Sequence, residues 1–230
     1  MLLNAIKTVL VNATKCLVVC LAVFTPPCPA NAHGYLAFPA ARNVQRNSNY
    51  CMHCLNAGGP GVVFSRGLPG RHGVCGDPWN GRKDHEAGGR FASPRRTAAT
   101  FAPGGIVKAK VILTANHLGR WSLRLCAAPE KGGASAERRV VTQRCFDRTV
   151  LRRADGRGPY TLVPSNKDKF TMAYRLPKKI RCKRCVLQWT YETGNSCTPR
   201  GMKPVSPGMP VCDRSVAGES FWNCADIAIR

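Results

Sequence analysis

Val107-Lys108-Ala109-Lys110-Val111-Ile112-Leu113 alternates apolar and basic side chains. A period of two is that of a strand with one face in a core and the other in water. Trp121–Leu125 (WSLRL) alternates again beyond the turn at Asn116–Arg120, so the two segments are predicted to pair as antiparallel neighbours. Arg138–Gln143, Tyr160–Val163, Phe170–Leu176 (FTMAYRL), Val186–Tyr191 (VLQWTY) and Ala225–Ile229 (ADIAI) extend the series. No stretch carries a sustained helical stripe, although residues 42–60 have room for a short helix. Many short strands divided by turns predict an all-β fold, an antiparallel β-sandwich. Residues 47–89, 127–136 and 193–218 are long loops, two of them rich in Gly and Pro, which need covalent staples to stay ordered.

Residues 1–32 have the layout of a secretory signal. Lys7 and Lys15 are their only charges, an apolar run Cys16–Phe24 follows, and Ala30-Asn31-Ala32 is a small-residue cleavage site. That run is too short for a membrane-spanning helix, which needs about 20 residues. The expected mature domain is 33–230, without a second module. Of the 13 cysteines, Cys16, Cys20 and Cys28 fall in the leader. The other ten, an even number in an exported chain, predict up to five disulfides of open connectivity. The Cys51–Cys54 and Cys182–Cys185 units read as disulfide partners rather than zinc ligands, being far apart in a chain bound for an oxidising compartment.

The formal net charge is +23, from 35 Lys and Arg against 12 Asp and Glu. The basic residues are scattered along the chain and no helix-turn-helix or zinc-finger spacing accompanies them. This predicts a solvated basic surface, with no specific nucleic-acid partner and no membrane contact. A basic matrix or nucleic-acid binder is the weakest of three readings.

Five histidines are candidate ligands: His33, His53, His72, His85 and His117. Cleavage after Ala32 makes His33 the first residue, whose free amine and imidazole Nδ1 can chelate one ion together. His117 closes Thr114-Ala115-Asn116-His117 at the end of the strongest strand, where the sheet rim can hold it rigidly. Two imidazoles and an amine in one plane suit copper, which heads the divalent affinity order.

The residues around these histidines carry a resemblance. His33-Gly34-Tyr35-Leu36 with Pro39 and Arg42 opens it, followed by Cys75-Gly76-Asp77-Pro78 and His85-Glu86-Ala87-Gly88-Gly89. Leu113-Thr114-Ala115-Asn116-His117 with Gly119, then Cys126 and Cys145-Phe146-Asp147, continue it. Cys185-Val186-Leu187-Gln188-Trp189-Thr190-Tyr191 with Thr193-Gly194-Asn195, and Glu219-Ser220-Phe221-Trp222-Asn223-Cys224-Ala225-Asp226-Ile227, complete it. In this order the segments resemble the lytic polysaccharide monooxygenases, specifically auxiliary activity family 15 of insects, other invertebrates, oomycetes and viruses.

The resemblance implies an immunoglobulin- or fibronectin III-like sandwich with short helices. It implies one copper ion per chain in a histidine brace, with His33 giving its amine and Nδ1 and His117 its Nε2. Phe221 matches an axial position that holds Tyr or Phe, where a phenyl ring shields without ligating. Ala115 matches a small residue beside the metal, and Gln188 is assigned a place behind the ligands, orienting bound oxygen. The implied enzyme is a secreted monomer that cleaves crystalline chitin or cellulose oxidatively, using an external reductant with hydrogen peroxide or dioxygen. A non-catalytic copper- or polysaccharide-binding protein on the same fold is the second reading. Residues 51–74 depart from the family's spelling, as does Cys197 where relatives carry an aromatic. No Asn-x-Ser/Thr acceptor follows residue 32, so N-glycosylation is not expected.

Overall fold

In the computed structural model, the described residues are 33–44, 51–64, 72–92, 96–213 and 215–230. The expected leader lies outside them. Among the described residues, nine strands form two sheets. One has the order β1 (His33–Phe38), β3 (Ile106–Ala115), β7 (Lys169–Arg175), β5 (Arg152–Arg153). The other runs β2 (Ala99–Phe101), β9 (Ser220–Ile229), β8 (Cys182–Glu192), β4 (Arg120–Ala127), β6 (Thr161–Leu162). All pairings are antiparallel except β2 against β9, which is parallel.

The alternation in β3 is met in full: Val107, Ala109, Val111 and Leu113 are buried, whereas Lys108 and Lys110 are exposed. Its partner is not the expected one. β3 pairs with β1 and β7, whereas β4 pairs with β8 and β6, so residues 116–119 cross between sheets instead of closing a hairpin. Leu118 (φ 57°) and Gly119 (φ 88°) turn the chain there. A Cβ on Gly119 would lie 2.1 Å from the Glu192 carbonyl oxygen, so only glycine permits this approach to β8.

The sheets bury one another's inner faces. Val107, Val111 and Leu113 of the first meet Trp121, Leu123, Leu187, Trp189, Tyr191, Phe221, Ala225 and Ile227 of the second in one apolar cluster. β8 and β9 are covered on the outer side as well, where Val186 and Cys224 pack with Cys75, Cys126, Val141 and Phe146. That cover includes two helices where a strand and loop were expected, α2 (Gly133–Val140) and α3 (Gln143–Arg148). Glu137 of α2, Val141 at its C-terminal end and Phe146 of α3 are buried, and the Thr142 side chain caps α3 by accepting from Cys145 N–H. One further turn of helix, α1, spans Pro60–Val63.

Ten cysteines form five disulfides: Cys51–Cys54, Cys75–Cys224, Cys126–Cys145, Cys182–Cys185 and Cys197–Cys212. Each Cys-x-x-Cys unit closes on itself. Beneath β9, Arg42 holds both carboxylate oxygens of Asp226 (2.8 and 2.7 Å) and reaches Glu137 at 3.0 Å, with Arg184 bridging the same two acids. This buried charge cluster ties the turn after β1 to the last strand and the helical cover.

Candidate functional site

His33 begins β1 opposite Ala115, the last residue of β3. The strands sit close because residue 34 is glycine: a Cβ there would lie 2.5 Å from Leu113 Cδ2. A buried bond from Leu36 N–H to Asn223 Oδ1 (2.9 Å) fixes β1 against β9, on which Phe221 lies. The Phe221 ring, fully buried, is 6.3 Å from the His33 ring and stacks 6.1 Å from Tyr191.

Tyr191 connects that wall to His117. Its hydroxyl accepts from the His117 backbone N–H (3.2 Å) and donates to Leu118 C=O (2.8 Å). Burial pushes the Tyr191 phenol above its ordinary range, so it stays neutral and keeps the proton this donation needs. The His117 carbonyl accepts from Gly194 N–H at 2.8 Å, and Asn116 hangs on the Pro164 and Lys167 carbonyls. The backbone of His117 is therefore tied at both polar groups.

Its ring is tied too. The Asn195 amide nitrogen lies 2.8 Å from His117 Nδ1, and Asn195 Oδ1 lies 2.8 Å from Thr193 Oγ1. Thr193 Oγ1 is also 3.0 Å from Glu219 C=O. A carbonyl only accepts, so the single Thr193 proton goes to Glu219, and Thr193 must receive from Asn195. Turning the amide by half a rotation satisfies this and sets Asn195 Oδ1 against His117 Nδ1. His117 Nδ1 then carries the hydrogen, and Nε2 keeps its lone pair for a metal.

Gln188 is not brought to this group. Its amide donates to Val74 C=O (2.7 Å) and pairs with Gln143 (2.9 Å). Strand alternation puts it on the face of β8 opposite Tyr191, under the helical cover. The place assigned to it behind the ligands is structural packing instead.

A cluster of ligand-capable side chains at His33 includes a residue to which the resemblance gives no role. His53 meets His33 edge-on at 5.1 Å between ring centroids, and one ligand-capable atom each from His33, His53 and Cys54 lies within 4.8 Å of the others. Cys54 is bonded to Cys51, so the sulfur has no thiolate to offer and the donors are imidazoles. Burial, then the neighbouring His33, lowers the His53 pKa and favours its neutral, ligating form. His33 and His53, both partly exposed, form this pair of nitrogen donors, and His117, also partly exposed, lies two residues beyond Ala115, the strand partner of His33. Imidazole donors of this kind fit copper, as they fit zinc and nickel.

Tyr191 and Asn195 lie inside the segment from Cys185 to Asn195, where sequence gave neither a role. His53 was one of the five candidate histidines, without a role of its own.

The sequence model of the family described as "Lytic polysaccharide mono-oxygenase, cellulose-degrading" matches residues 33–227. A search of curated proteins finds no match. Among solved structures, the lytic polysaccharide monooxygenase AA15 from Thermobia domestica in the Cu(I) state is similar at 30% identity and a TM-score of 0.69, covering 86% of this chain and 98% of that one. A chitin binding domain from Burkholderia pseudomallei matches more distantly, at 16% identity and a TM-score of 0.46, over 87% of this chain and 100% of that one.

Proposed function

Since the chain belongs to the lytic polysaccharide mono-oxygenase family, we propose that it is a secreted copper enzyme that oxidatively cleaves the glycosidic bonds of chitin or cellulose. His33 and His117 hold the ion. The observation that supports this most is the treatment of His117, whose N–H, C=O and Nδ1 are each engaged, which leaves Nε2 as the ring nitrogen to serve as donor. Such immobilisation of a partly exposed imidazole serves no packing purpose and is what a ligand requires.

Export completes the donor set. Within the precursor the His33 nitrogen is an amide with no lone pair to give, whereas cleavage after Ala32 frees an amine beside the ring. Bound copper would supply a one-electron couple that, with an external reductant, activates hydrogen peroxide or dioxygen for hydrogen abstraction from a glycosidic carbon. The protein's own residues do the positioning. Phe221 presents carbon to the His33 side and keeps water from it. Ala115, opposite His33, keeps the approach to that side narrow in bulk. Tyr191 locks the turn that carries His117. Placement of the imidazoles on the surface suits a flat polymer. Five disulfides suit the oxidising route of a secreted protein.

The test uses the full chain expressed in a secreting host. N-terminal sequencing is expected to begin at His33, and any other start sinks the brace. Incubation with chitin or cellulose, reductant and peroxide is expected to release oxidised oligosaccharides, visible by mass spectrometry and abolished in His117→Ala. Copper bound without oxidised product from either polymer would instead identify a non-catalytic binder.

A further inference from the structure

His53 stands beside His33 by construction. Gly34 N–H, in the residue that follows His33, donates to His53 C=O at 3.2 Å. The Cys51–Cys54 disulfide closes the two-residue span that holds Met52 and His53. Asn43 Nδ2 donates to Met52 C=O on one side (2.5 Å), and Trp222 N–H donates to Leu55 C=O on the other (3.2 Å). The short loop is thus anchored before, at and after His53, to β1, to β9 and to the turn that follows β1.

These anchors fix one more imidazole at the site. The rings stand 87° apart in an edge-to-face pose, which aims the rim of one at the face of the other rather than stacking them. Their ligand-capable atoms lie within 4.8 Å. Two nitrogens on one ion, each at about 2.0–2.1 Å, are separated by at most about 4 Å. Rotation of one partly exposed ring closes the remaining gap. The nearest sulfur is removed from competition by its disulfide, so His53 adds a nitrogen donor and nothing softer.

We propose that His53 is a third imidazole ligand of the metal bound at His33, so that the ion is held by three histidines instead of two. The proposal rests on the copper-site reading above and extends it. A third neutral donor raises affinity.

The experiment titrates Cu(II) into the secreted full-chain protein and into His53→Ala, His53→Gln and His117→Ala. Electron paramagnetic resonance, with pulsed detection of remote imidazole nitrogens, counts the rings on the ion, and competition with a chelator gives affinity. Thermal unfolding without metal checks that the partly exposed substitutions leave the fold unchanged. Both His53 variants are expected to lose one imidazole from the nitrogen count, shift the copper hyperfine coupling and bind about ten-fold more weakly. Unchanged spectra and affinity in both, beside a changed His117→Ala, would overturn the His53 assignment and leave the two-histidine reading in place. A wild-type protein that binds no Cu(II), or a His117→Ala spectrum identical to wild type, would sink the parent reading itself.

Discussion

Asn195→Ala removes the partner of His117 Nδ1 without touching the ring. The bond lies at 2.8 Å on an exposed side chain, so its direct contribution to stability is about 1 kcal/mol or less. Its effect on a metal is larger. Loss of a group that orients a ligating imidazole typically costs 10–100-fold in affinity, or about 1.4–2.7 kcal/mol. Since Tyr191 and Gly194 still grip the His117 backbone, the lower end applies, about ten-fold. The assay is Cu(II) competition against a chelator, with thermal unfolding of the metal-free protein alongside. Asn195→Asp separates the two possible orientations of the amide. A carboxylate accepts from Nδ1–H, so Asp is expected to bind copper at least as tightly as wild type. If Asp weakens binding as much as Ala does, Nδ1 is not a donor in the native protein, and the proton count through Thr193 and Glu219 is refuted.

Other substitutions report on the frame. Burial lifts the Glu86 carboxyl from 4.5 to about 7, opposed by the Cys75 N–H that donates to it. The folded state thus holds more protons than the unfolded one between these values, so stability falls as pH rises from about 4.5 to about 7 and levels off above, by roughly 3 kcal/mol at most. Glu86→Gln keeps the acceptor and is expected to raise the melting temperature at pH 8 while leaving it unchanged at pH 4. Phe221→Ala empties a fully buried ring site between His33 and Tyr191, and urea unfolding is expected to show a loss of about 3–5 kcal/mol. Replacing Cys75 and Cys224 by serine opens a loop of sequence separation 149 and is expected to cost about 5 kcal/mol, whereas the same change at Cys51 and Cys54, separation 3, costs about 2 kcal/mol.

Strand identity was legible wherever alternation met burial on one face, as in β3 and β7. Strand partners were not, because Val107–Leu113 and Trp121–Leu125 read the same whether they share a sheet or face one another across the core. What separates them is Leu118 and Gly119 at positive φ, a backbone turn that composition does not announce. The helices α2 and α3 escaped for a related reason. Their apolar residues are few, and the order of residues 133–148 comes from the cover they give β8, with Cys126–Cys145 holding α3 to β4. β1 was hidden by its six-residue length and by Pro39 immediately after it. At the site, His33 and His117 rested on the resemblance and on the rim position of His117. Gln188 is three residues from Tyr191 on one strand and so faces the other way, a parity that counts against it only once folding shows which face of β8 carries Tyr191 toward His117. Tyr191 and Asn195 lack a sequence signal of their own, because a hydroxyl and an amide become positioning groups only when folding sets them against His117.

The Cys197–Cys212 disulfide closes its loop onto itself, with Thr198 and Val211 bridged just inside the bond. Asn195 lies outside that ring and Glu219 beyond its other end, whereas Val205 inside it packs beside Gly194, whose N–H holds the His117 carbonyl. With Val205 kept, the rest of residues 199–210 form a natural graft site. A foreign sequence stapled between the same two cysteines around it would change the outward surface beside the turn that carries His117 while leaving that turn's support in place, which makes this segment the first choice for redirecting the protein toward another polymer.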